Sequence, residues 1–115
     1  MITTKFHAAV DYLFGIAAIA APWVLGFGSL KTPTYVLVTS GVITILVSLS
    51  TDYPGGLVKI VSMRSHLKID VLIGVALGFS PWLLSFSREL YVPHLIMGVF
   101  AVVASLLTTM RTRSY

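Results

Sequence analysis

The chain has 115 residues, 57% of them hydrophobic and only 10% charged, with a formal net charge of +4. A water-facing domain carries about a quarter charged residues, so this composition points to lipid as the solvent. The absence of cysteine excludes disulfides, thiolate catalysis and cysteine-ligated clusters, and the sequence holds no nucleic-acid-binding motif.

The first apolar stretch covers about 8–28. It opens beside His7 and Asp11 and closes near Pro22 and Trp23. About 20 apolar residues cross a hydrocarbon core at a rise of 1.5 Å each. In lipid a segment must satisfy its own backbone, which makes it a helix. Lys5, the apolar run and "AIAAP" at 18–22 loosely resemble a cleaved leader. Asp11 inside the run, and a proline beside the cleavage point, favour a retained span instead. The short connection "SLKT" leads to Pro33, a good helix start, and to a second stretch at 33–51 that contains Gly41.

A turn at "DYPGG", 52–56, opens a longer connection. The following "LVKIVSMRS" holds Lys59 and Arg64, and either lies in the headgroup plane or extends the third helix. The third stretch, 69–87, follows His66 and Asp70 and carries Gly74, Gly78, Ser80, Pro81 and Trp82. After "SRELYV", Pro93 starts the fourth, 92–109, which contains Gly98. His94, with no histidine counterpart in the first half, is expected to be a solvated interfacial side chain. No polar–apolar alternation of a membrane barrel is present.

The basic residues are uneven across these spans. Lys5, Lys59, Arg64, Lys68, Arg111 and Arg113 fall on one side, and Lys31 and Arg88 on the other. The positive-inside rule then predicts a multi-pass cell-membrane protein with both termini and the middle loop in the cytoplasm.

The two halves repeat. A shift of 59 aligns Lys5 with Arg64, His7 with His66, Asp11 with Asp70 and Gly15 with Gly74. It also aligns Pro22 with Pro81, Trp23 with Trp82 and Phe27 with Phe86. After the outer loop the register slips, and Gly41 matches Gly98 at 57. Each half is a two-helix hairpin. An even number of spans per half makes the repeats parallel, related by a pseudo-two-fold along the membrane normal. The expected fold is all-α, four transmembrane helices in one membrane domain, with repeats at 1–54 and 55–115.

With these residues in place, the chain resembles the SPW repeat proteins, small prokaryotic membrane proteins whose repeat is a helix pair with Ser-Pro-Trp in the first helix. Ser80, Pro81 and Trp82 match the triplet; Ala21, Pro22 and Trp23 match it with alanine for serine. The resemblance covers nearly the whole chain. It implies this architecture and an inner-membrane location, and brings no biochemical activity with it.

Several polar and small residues are candidates for a role. Pro22 and Pro81, placed about two-thirds along their helices, are expected to kink them, and the Ser80 hydroxyl to bond a nearby carbonyl. Trp23 and Trp82 fit interfacial anchors; a hinge or gate is the sharper alternative. Gly15, Gly41, Gly74, Gly78 and Gly98 fit close helix contacts, within or between chains. His7/Asp11 and His66/Asp70 each share a helix face.

Three readings of these pairs stay open. In the first, they terminate helices, each His bonding its own Asp, or Asp binding Lys5, Arg64 or Lys68, with the carboxylate in the first turn suiting the helix N-terminus. In the second, the four form a titratable cluster for ions or protons. In the third, His7 and His66 ligate a metal or haem. Nothing assigns a catalytic set, cofactor or metal, and the loops are too short for a substrate site. The expected function is a non-enzymatic structural or interaction protein, with the bilayer, a second copy or a larger membrane complex as partner and no nucleic acid. A small transporter or channel is the alternative, and a haem or metal subunit comes third.

Overall fold

A computed structural model describes residues 2–108; Arg111 and Arg113 of the charge pattern lie outside them. Among the described residues stand four helices and no strand: α1 (Thr4–Val24), α2 (Lys31–Leu49), α3 (Met63–Leu83) and α4 (Val92–Leu106). The first three are long and apolar enough to cross a membrane, and α4 is shorter and apolar. The bundle measures 45 × 22 × 20 Å, and its long axis matches a bilayer with headgroups, about 40–45 Å. α1 packs on α2 and α3 on α4 as hairpins, which join chiefly through α2 and α3.

Glycines set the distance within each hairpin. A Cβ on Gly15 would lie 3.0 Å from the Gly41 carbonyl oxygen, and one on Gly41 2.6 Å from that of Gly15. In the second hairpin, a Cβ on Gly74 would lie 2.8 Å from the Gly98 oxygen, and one on Gly98 2.5 Å from that of Gly74. Without a driving force from water, such backbone approach is how helices hold together in lipid. The outward faces remain apolar, with Leu13, Leu72, Phe79 and Phe100 all exposed.

Helix ends depart from the apolar boundaries by several residues. Thr3 and Ser62 are the reason: each side-chain oxygen accepts the backbone N–H three residues on, at 3.1 Å, an N-cap that starts the helix inside the charged flank. Asp11 and Asp70 consequently sit in the second turn, and neither helix has an acid in its first turn. The expectation that these carboxylates terminate helices at the first turn is overturned; the hydroxyls do it. At the other end, Pro22 and Pro81 fall in the last turn rather than two-thirds along, because both helices stop at a left-handed residue, Gly26 (φ 83°) and Ser85 (φ 63°). Ser80 Oγ donates to Leu77 O at 2.7 Å, the carbonyl that the missing Pro81 N–H leaves without its helical donor. Trp23 and Trp82 are exposed beside these ends.

The middle connection splits. Met63 and Arg64 join α3, whereas 57–61 lies irregularly against the end of α2. There the N–H groups of Leu57 and Val58 reach Leu49 O, and those of Ile60 and Val61 reach Ser50 O, at 2.8–3.1 Å. These bonds satisfy carbonyls that a helix C-terminus leaves open, which is why the segment is neither helix nor a free loop.

His94 is also a correction. It is fully buried, not solvated. Its Nε2 donates to Pro33 O at 2.9 Å, and its ring packs edge-on to Phe86 at 4.9 Å and beside Phe27 at 6.0 Å. The segment after the outer loop folds inward, so a position next to the interface in sequence lies at the hairpin–hairpin joint.

Candidate functional site

The helix starts set by Thr3 and Ser62 place His7 and His66 in the first turn of α1 and α3, and the aspartates one turn deeper. All four side chains point to the bundle axis and are buried. They meet as one group, and the closest pairings cross between the hairpins. His7 Nε2 lies 2.9 Å from Asp70 Oδ2, and His66 Nε2 lies 2.6 Å from Asp11 Oδ2. The pairs within one helix are 3.1 Å for His7–Asp11 and 3.0 Å for His66–Asp70. Two Nε2 and two Oδ2 atoms thus alternate around a ring. Among the described residues no lysine or arginine lies within ion-pair distance of either aspartate, so Lys5, Arg64 and Lys68 are not their partners.

The other face of each imidazole is held as well. His7 Nδ1 is 2.7 Å from Thr108 Oγ1, and His66 Nδ1 is 2.7 Å from Thr51 Oγ1. Each threonine hydroxyl donates to a carbonyl in the last turn of the helix that precedes it, Thr108 to Ala104 at 2.7 Å and Thr51 to Val47 at 2.6 Å. A hydroxyl has one hydrogen. With it directed to the carbonyl, the threonine oxygen accepts from the imidazole, so Nδ1 is protonated; Nε2 meets the carboxylates, and bonds them as a donor when it too is protonated, the ring then being an imidazolium. Ser48 Oγ adds a donor to Asp11 Oδ2 at 3.3 Å. The Tyr53 ring lies beside His66 at 5.2 Å, and burial pushes its hydroxyl pKa well above the ordinary tyrosine value, so it stays neutral.

Exchange between halves extends to the backbone. Ile2 pairs with Thr108, and Thr51 with Val61. The start of each hairpin is bridged to the end of the other. Beside the quartet, toward the middle of the bundle, lies a cavity of about 10 Å³ bounded by His7, Asp11, Asp70, Phe14, Thr44 and Phe100 among others. That is room for about one water molecule and none for an organic solute.

Thr51, Thr108 and Ser48 escape a reading based on the His/Asp spacing. Their signal lies in the slipped register: continuing the shift of 57 from Gly41 and Gly98 pairs Ser48 with Ser105 and Thr51 with Thr108. Pro22, Trp23, Ser80, Pro81 and Trp82 lie at the opposite end of α1 and α3 and take no part in the quartet. Of the glycines, Gly78 differs: a Cβ there meets nothing closer than the Gly98 Cα at 3.8 Å.

A family model described as the SPW repeat domain matches residues 5–108. No curated protein and no solved structure matches the chain.

Proposed function

Since the chain belongs to the SPW repeat domain family, matched over nearly its whole length, we propose that it is a non-enzymatic, multi-pass protein of the prokaryotic inner membrane that works by association, with a second copy or as an accessory subunit of a membrane complex. Residues 1–54 and 55–115 are its two repeats, and the basic residues orient both termini to the cytoplasm. The observation that carries this reading is where polarity goes. His7, Asp11, His66, Asp70, Thr51 and Thr108 are buried and engaged with one another, and His94 is buried against Pro33. The outward faces offer apolar side chains, which fit lipid or another membrane helix. The quartet then serves as a clasp that closes the two hairpins against each other at one end.

The test is purification from native membranes in mild detergent, with mass and composition measured. The expected result is a defined assembly, either homo-oligomer or complex with a recurring membrane partner. A strictly monomeric chain, alone both in the membrane after crosslinking and in detergent, overturns the reading.

A proton or ion conductor is the second reading, and the buried titratable quartet favours it. Beyond the quartet, however, Phe14, Ala18, Leu37 and Leu77 form a buried apolar core, where a continuous path calls for polar lining. Vesicles holding the protein and showing a flux that disappears in Asp11→Asn and Asp70→Asn would establish this second reading instead.

A further inference from the structure

We propose that the His7–Asp11–His66–Asp70 quartet is a binding site for one divalent transition-metal ion of the Zn²⁺ class, held between the two hairpins. The ring supplies the first argument. Its four N···O separations are 2.9, 3.1, 2.6 and 3.0 Å, and its donor atoms all lie within 4.8 Å of one another. A flat ring with these sides would have its centre about 2 Å from each atom, the bond length of Zn²⁺ to imidazole nitrogen and carboxylate oxygen, and a tetrahedral ion would draw the four atoms out to about 3.3 Å apart.

Hydrogen counting is the second. Each Nε2 carries at most one hydrogen, yet each faces two Oδ2 atoms at contact distance. Hydrogen bonds alone leave the ring half filled, whereas one central cation engages all four atoms. The third is the shell behind the ligands. Thr51 and Thr108 accept from Nδ1, which aims the Nε2 lone pairs inward. Outer-shell acceptors of this kind fix metal-binding histidines elsewhere. Charge agrees too, because a divalent ion neutralises two buried carboxylates that, among the described residues, no lysine or arginine reaches. The adjacent cavity of about 10 Å³ has room for one further water ligand. Imidazole with carboxylate and no thiolate selects the Zn²⁺, Fe²⁺ and Mn²⁺ group over copper(I).

This inference rests on the clasp reading, since the ion closes the same joint, and one experiment separates the two. The full chain, carrying a tag without histidine, is purified in mild detergent and its metal content measured. It is then stripped with chelator and titrated with Zn²⁺, Mn²⁺, Co²⁺ and Mg²⁺ while unfolding is followed. About one transition-metal ion per chain is expected, with a raised unfolding midpoint in Zn²⁺ and none in Mg²⁺. Bound Co²⁺ should show visible ligand-field bands.

His66→Gln should lose binding. If that variant fails to fold, Thr51→Val and Thr108→Val keep all four ligands and should weaken Zn²⁺ binding about 10-fold or more through the lost outer-shell acceptor. Stripped wild-type protein that takes up none of the transition metals overturns the proposal; the clasp survives that result if Asp11→Asn still lowers the unfolding midpoint in chelator. A metal-binding wild type whose Asp11→Asn variant is as stable as its parent in chelator keeps the metal site and removes the clasp.

Discussion

Two residues at equivalent positions show how the backbone can ask for a residue type that only one repeat supplies. Gly26 and Ser85 are 59 apart, and both adopt left-handed φ just past the end of α1 and α3. A side chain there collides with the neighbouring carbonyl, at about 1–2 kcal/mol for an L-residue, and glycine avoids the collision. Ser85→Gly should therefore stabilise the bundle by up to about 1 kcal/mol, and Gly26→Ala destabilise it by a similar amount. Unfolding in SDS-containing mixed micelles, followed by circular dichroism, reads both. Shifts of the same sign would show that the left-handed turns do not govern these ends. His94 carries a related lesson. Nothing in its neighbours Pro93 and Leu95 announces burial, because its partners Phe27, Pro33 and Phe86 come from distant stretches of the chain.

At the level of helices, apolarity located the spans but not their ends. Thr3 and Ser62 extend α1 and α3 beyond the lipid-like sequence, and that displacement moves Asp11 and Asp70 from a first to a second turn. The repeat was legible because His, Asp, Gly, Pro and Trp recur together; the crossing of the pairs was not. Spacing of four places two side chains on one helix face and is silent about what that face meets. The glycines behave the same way. "GVALG" at 74–78 marks two small residues without saying which one touches. The structure separates them: a Cβ on Gly98 would lie 2.5 Å from Gly74 O and 2.5 Å from Gly78 N, whereas one on Gly78 has 3.8 Å of room. Gly98→Ala must push backbones apart and should cost about 1–3 kcal/mol, while Gly78→Ala should be nearly neutral. Equal losses from both, in the same unfolding assay, would mean that α3 and α4 approach elsewhere.

For the molecule as a whole, two ends with different chemistry suggest how it sits in the membrane. One end carries the His–Asp quartet and the bridges Ile2–Thr108 and Thr51–Val61; the other carries His94 on Pro33 between Phe27 and Phe86. Lys5, Lys59, Arg64 and Lys68 belong to the quartet end, by their places in α1, in α3 and in the connection between the hairpins. Lys31 and Arg88 belong to the opposite end, beside the outer loops. A lysine or arginine costs about 2.5–3.5 kcal/mol at mid-membrane on insertion scales, so the more basic end resists translocation. Arg111 and Arg113 add to the same side in sequence. The quartet end should therefore face the cytoplasm. Reporters active on only one side of the membrane, fused after Tyr115 and inserted beside Lys31, should give opposite signals, with Tyr115 cytoplasmic. Four crossings of the bilayer require that the two sites differ. Equal signals would overturn the four-span arrangement, in which α4, with 15 residues, is the shortest of the four helices, and the reverse pair of signals would turn the quartet end outward.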